Sequence, residues 1–147
     1  MKPGDQLPEW TLPVTTTLVV STAIATRDFQ DVHHDRDLAQ SYGSTDIFVN
    51  ILTSNGLVER YVTDWTRSNG TVVDVRSIAI RLGAPAHPGD TLAFTGSVET
   101  VEGDTVTISV RGAVVSTGST DGQDHVTGTV MISMSGAGRP ARPPISR

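Results

Sequence analysis

The sequence contains no cysteine. That absence removes disulfides, thiolate metal sites and a cysteine nucleophile from consideration, and it suits a chain that works in a reducing cytosol. Long apolar runs are also missing: no window approaches the eighteen or so uninterrupted apolar residues of a membrane span. The N-terminus, Met1-Lys2-Pro3-Gly4-Asp5, lacks the basic-then-apolar order of a signal peptide. These absences predict a cytoplasmic chain with no membrane contact. Positive charge is scarce too. Lys2 is the single lysine, and the net charge of −5 argues against a nucleic-acid partner. The remaining positive charge is arginine, whose planar guanidinium suits phosphates and carboxylates.

What is present, in 147 residues, is enough to bury the core of one domain. The polar stretch Arg27-Asp28-Phe29-Gln30-Asp31-Val32-His33-His34-Asp35 places two of the four histidines and three carboxylates within nine residues. Such a segment reads as a loop held by its flanking elements, with side chains suited to proton transfer. A metal site formed by His33, His34, Asp31 and Asp35 is disfavoured, because ligands so close in sequence rarely all point inward.

Residues 1 to 14, with Pro3, Pro8 and Pro13, read as an extended lead-in on the surface. Thr15 to Val20 is β-branched and predicts a strand, with a helical turn over Ser21 to Ala25. Ser44 or Thr45 can cap a helix that runs to about Trp65, with Asp46 in its first turn. Ile47, Ile51, Val58 and Val62 share one face of that helix, and further apolar residues widen the face until little polar surface is left. Gly56, inside it, suggests close packing against another backbone. After Gly70 the apolar pattern changes to period two. It gives strands over Val72 to Leu82, with a bulge near Arg76-Ser77, then through Leu92 to Val98, Val106 to Val114 and Val126 to Met134. Ser135 to Arg147, rich in Gly, Pro and Arg, reads as a disordered tail, leaving 1–134 as the single domain. One buried helix and a following antiparallel sheet make an α+β chain in which a curved sheet wraps a long central helix, the hot-dog fold.

The polar stretch resembles the MaoC-like enoyl-CoA hydratase family, whose motif has the form Gly-Asp-x-Asn-Pro-(Ile/Val)-His-x-Asp. Asp28, Val32, His33 and Asp35 stand at its positions. Gly89-Asp90-Thr91-Leu92 is similar to the family's Pro-Gly-Asp-Thr-Leu turn, and Pro3-Gly4-Asp5-Gln6-Leu7-Pro8 adds support. The pattern also departs from the family's. Arg27 stands for the glycine, Gln30 for the asparagine and Asp31 for the proline, while Val49-Asn50 or Asn50-Ile51 replaces a His-Gly at the helix start. With Asp46-Ile47-Phe48-Val49-Asn50-Ile51-Leu52-Thr53 and Arg60 to Trp65, the chain resembles the small-subunit branch of hydratases acting on steroid side-chain CoA thioesters.

The resemblance implies that Asp28 and His33 hold and activate one water. It also implies an acyl-CoA substrate, no cofactor beyond the coenzyme A of that substrate, and a second, different MaoC-like subunit in a heteromer. A backbone amide at the start of the central helix, that of Asn50 or Ile51, would face the thioester oxygen. Arg76, Arg81 and Arg60 are candidates for the CoA phosphates. Two other functions compete with this one: a hot-dog thioesterase, whose acid would project from the helix at Asp46 or Glu59, and a non-catalytic subunit that completes a partner's site.

Overall fold

The computed structural model describes residues 1–134; the expected tail lies outside them. A five-stranded antiparallel sheet carries the chain, with β1 (Gln6–Pro13), β2 (Asp74–Leu82), β3 (Thr91–Glu102), β4 (Thr105–Val115) and β5 (Asp124–Ser133) in the order β1-β3-β4-β5-β2. Helices α1 (Thr16–Ala25), α2 (Arg36–Ser41) and α3 (Ile51–Ser68) lie between β1 and β2, with a 3-10 turn over Asp31–His33. The sheet curves around α3. Val58 and Val62 on the helix are buried with Leu92, Phe94, Val106, Ile108, Val126, Val130 and Ile132 from the strands, forming one continuous core. Each fully buried side chain of this size contributes about 1.5–3 kcal/mol.

The period-two reading of β2 to β5 holds, and the ladder between β2 and β5 shifts register between Val75 and Ser77, where the bulge was expected. The first third of the chain differs from the expectation. Residues 6–13 are not a lead-in but the edge strand β1, paired antiparallel with β3. Its prolines fit because an edge strand can spare N–H groups: Pro8 falls where the register shifts between Leu7 and Trp10, and Pro13 ends the strand. Thr15 to Val20 is helical rather than extended. Thr15 caps α1 by accepting the Leu18 N–H at 3.0 Å, and burial of Val19 and Ala23 one turn apart overrides β-branched propensity.

The central helix begins at Ile51, six residues after the expected cap, and ends at Ser68 rather than Trp65. Tertiary partners take the backbone groups that an earlier start would need. The Phe48 N–H donates to Val32 and the Val49 N–H to Ala86, while the carbonyls of Phe48 and Ile47 accept from His33 and His87. Residues 46–50 are therefore drawn out between the polar loop and the β2–β3 connection. Asp46 consequently lies outside the helix and pairs with Arg36 at 2.9 Å. Nor is α3 apolar all round: it buries Thr53, Ser54, Leu57, Val58, Tyr61, Val62 and Thr66 and exposes Gly56, Glu59, Arg60, Asp64 and Arg67. Nothing lies within 4 Å of a Cβ placed on Gly56, so close packing is not the reason for that glycine. Tyr61 ties the helix to β1 by donating its hydroxyl to the Pro8 carbonyl at 2.9 Å. Burial, with the Glu9 charge added, raises its pKa to about 12 and keeps it a donor.

Gly128 marks the tightest point of the sheet. A Cβ there would collide with the Ala79 carbonyl oxygen and stand 2.9 Å from Ile80 Cα on the neighbouring strand. Gly128→Ala is expected to cost about 2 kcal/mol, the usual range of an overpacked site, read as a lower midpoint in chemical denaturation; an unchanged midpoint would show that β2 can move aside freely.

Candidate active site

Asp28 is aimed by the end of α1. The Arg27 N–H bonds to Ile24 and the Asp28 N–H reaches back to Ala23 at 2.9 Å, the paired bonds that close a helix through a left-handed residue. That residue is Arg27, with φ of 58°, the one non-glycine with positive φ among the described residues. The conformation explains why the family motif has glycine here, and it costs a side chain about 1–2 kcal/mol. The turn sends the Asp28 carboxylate inward, where its side chain is 15% exposed.

His33 ends the 3-10 turn and is buried, its ring edge-on to Phe48 with centroids 5.0 Å apart. Its Nδ1 lies 2.8 Å from the Phe48 carbonyl oxygen, which can only accept, so Nδ1 carries the proton and Nε2 has a free lone pair. Nε2 stands 3.4 Å from Asp28 Oδ2. Two bare acceptors at that distance have no proton of their own to share, and a water seated beside both can donate one hydrogen to each.

Sequence reasoning considered Asn50 only for its backbone; its side chain proves equally placed. Asn50 is the N-cap of α3: Oδ1 accepts the Thr53 N–H at 2.9 Å, which fixes the amide orientation and turns Nδ2 toward Asp28 Oδ2 at 3.0 Å and Thr26 Oγ1 at 2.9 Å. An asparagine three residues before the Thr53 N–H was a legible cap signal, but its reach back to residue 28 was not. The N–H groups of Asn50, Ile51 and Leu52 donate to no acceptor among the described residues, as expected for the first turn of a helix, and they lie beside the Asn50 side chain that holds Asp28. Behind this turn Ser54 Oγ is 2.8 Å from His125 Nε2, and both residues are buried.

Other candidates are placed elsewhere. His34 Nε2 donates to the Phe29 carbonyl, and Asp35 caps α2 through the Leu38 N–H, so the loop's polar side chains diverge. Among the described residues no group of three or more His, Asp or Glu side chains could hold a metal ion. Arg60 lies over the Trp10 ring and pairs with Asp64, half the helix away from the site. Arg76 donates to Ser133, at the end of the sheet reached by the C-terminus of α3. Arg81 is exposed on β2 one residue from Leu82, whose partner Val126 adjoins His125. The structure therefore brings Asp28, His33, Asn50 and Ile51 together, leaves Arg81 at the end of β2 that pairs near His125, and separates Arg76 and Arg60 from them. His87 is a loop brace, its Nδ1 on the Ile47 carbonyl at 2.9 Å. Glu59 is exposed.

Burial lowers the pKa of His125, partly offset by its bond to the Ala84 carbonyl. The unfolded chain therefore takes up a proton here more readily than the folded one. The stability this group supplies is complete above its unfolded value of roughly 6.5 and is lost as pH falls from there through the lower folded value. Melting temperature is expected to fall on acidification across that window. The fall should be shallower in His125→Gln, and equal slopes in the two proteins would show that His125 is not the group responsible.

The family described as MaoC like domain matches residues 3–120. The chain is 53% identical over 131 residues to the 3-oxo-4,17-pregnadiene-20-carboxyl-CoA hydratase beta subunit of Mycobacterium tuberculosis, covering 89% of this chain and 95% of that one. Its fold superposes on a chain of the ChsH1-ChsH2 complex from Mycobacterium tuberculosis with a TM-score of 0.81 at 52% identity, over 90% of this chain and 97% of that one. The (R)-hydratase of A. caviae involved in PHA biosynthesis, at 15% identity, shares the fold with a TM-score of 0.78 over 91% of this chain and 97% of that one. The helix-wrapping sheet is thus the hot-dog fold, and the chain belongs to the MaoC-like family.

Proposed function

We propose that this chain is a subunit of an enoyl-CoA hydratase that adds water across the α,β double bond of a steroid side-chain CoA thioester, within a heteromer containing a second MaoC-like subunit. The observation that carries the reading is the convergence of His33 Nε2 and Asp28 Oδ2, 3.4 Å apart, beside the open first turn of α3. Support for the substrate class and the assembly comes from the relative's name and from the two-component complex that the fold matches.

The pair holds one water by accepting both its hydrogens. As the water oxygen bonds to Cβ, the dyad takes one of those protons, and the electron pair of the double bond moves toward the thioester carbonyl. The N–H groups of Asn50 and Ile51, at the positive end of the α3 dipole, face the negative charge that forms on that oxygen. When the charge returns to Cα, the dyad delivers the proton it took, so one water is added and both side chains end as they began. Water and the thioester supply every atom, and the only coenzyme required is the CoA of the substrate. Asn50 Nδ2 on Asp28 Oδ2 keeps the carboxylate aimed. Of the three candidate arginines, Arg81 is the one whose strand position lies near His125, so it is the candidate for a CoA phosphate. The hot-dog thioesterase reading loses its acids: Asp46 is committed to Arg36 outside the helix, and Glu59 is exposed.

Phe29, Ile51 and Leu52, next to the site residues in sequence, are 65%, 51% and 51% exposed in the single chain. Large apolar side chains at the mouth of a polar site suit burial under another subunit and the acyl group. The absence of cysteine supports a cytosolic setting for the reaction; no helix among the described residues is long and apolar enough to cross a membrane.

Hydration should be assayed separately from CoA release, using steroid and fatty enoyl-CoA thioesters with the purified heteromer. Asp28→Asn and His33→Ala are each expected to lower hydration by at least about a hundredfold. The double variant should be little worse than either single one, because both residues serve one water. His34→Ala should change far less. Near wild-type turnover in either single variant would make this chain a scaffold for its partner's chemistry. The isolated chain is expected to be inactive until the second subunit is added, and full activity from a purified monomer would refute the shared site.

A further inference from the structure

Ser54 and His125 are both buried, come from α3 and β5, and touch neither of the reacting positions. His125 Nδ1 lies 2.9 Å from the Ala84 carbonyl oxygen, so that nitrogen carries the proton and Nε2 accepts. Burial keeps the ring neutral and preserves this arrangement. Its partner is the Ser54 hydroxyl at 2.8 Å, which gives its one proton to Nε2, while the Ser54 N–H donates to the Asn50 carbonyl at 3.1 Å and the hydroxyl oxygen packs 3.1 Å from that same carbonyl. The Asn50 carbonyl and the Ile51 N–H belong to one peptide plane. A chain of contacts therefore runs from the β2–β3 connection at Ala84, through β5, to the peptide that presents the Ile51 N–H and to the residue whose amide holds Asp28.

We infer that Ser54 and His125 are positioning residues for the hydration: they fix the first turn of α3 against β5, and so set the Asn50 amide on Asp28 and the Ile51 N–H on the thioester oxygen at the same time. This inference rests on the proposed hydratase reading. It explains why a helix that buries mostly apolar side chains has a serine at 0% exposure behind its first turn, and why a histidine at 2% exposure stands in β5 among valines and isoleucines. A packing role alone would be filled by Ala and Leu, which need no partners.

The test uses the purified heteromer, a steroid enoyl-CoA substrate and a dimethylaminocinnamoyl-CoA probe whose absorption moves to the red as its carbonyl oxygen is polarised. Ser54→Ala and His125→Leu are each expected to lower kcat about tenfold while leaving KM within about twofold, the signature of misplaced donors rather than lost binding. Each should also reduce the red shift of the bound probe. His125→Gln, whose amide can still donate to Ala84 and accept from Ser54, should restore most of the rate and the shift, and it serves as the test should either other variant fail to fold. Wild-type kcat and red shift in the folded fraction of Ser54→Ala or His125→Leu would overturn the inference, as would a His125→Gln as impaired as His125→Leu. If the wild-type heteromer itself neither hydrates the substrate nor shifts the probe, it is the hydratase reading that fails.

Discussion

The side-chain amide of Asn50 has one orientation open to it, and the site depends on that restriction. Its oxygen is claimed by the first turn of α3, so its nitrogen must donate, and the acceptors within reach are Asp28 and Thr26. Thus a helix cap, which would be worth about 1 kcal/mol on its own, also sets the direction of a carboxylate twenty-two residues earlier in the chain. The end of α1 and the start of α3 are held together at the one place where their terminal groups face the same small space.

Around that amide, backbone carbonyls decide the protonation pattern. Phe48 takes the Nδ1 proton of His33 and Ala84 that of His125, leaving both Nε2 atoms as acceptors. Carbonyls can fill this role because residues 46–50 and 83–90 run as irregular connections, whereas a helix or a sheet would consume its own acceptors. The short irregular segments are in this sense the most constrained parts of the molecule.

This also bears on how much could be read from sequence. Asp28 and His33 were legible because they stand five positions apart in one loop, and the strands after Gly70 were legible because alternation is a local signal. The start of α3 was not: Ile47, Phe48 and Val49 continue a helical pattern, and only partners far along the chain, Val32 and Ala86, pull them straight. β1 was obscured by prolines that an edge position tolerates, and α1 by β-branched residues that burial overrode. Ser54 and His125, seventy-one residues apart, share no motif that links them.

The two edges of the sheet are unlike each other. Both edge ladders contain one register shift, but β1 carries Pro8 and Pro13 whereas β2 runs from Asp74 to Leu82 without a proline. Adding a foreign strand needs edge N–H groups as donors, and the two prolines of β1 supply none. Growth of the sheet is therefore one-sided. A pair joined through β2, with a partner built on the same strand order, ends in proline-bearing strands on both flanks. Such a pair is self-limiting, with no flat margin left from which a fibre could extend.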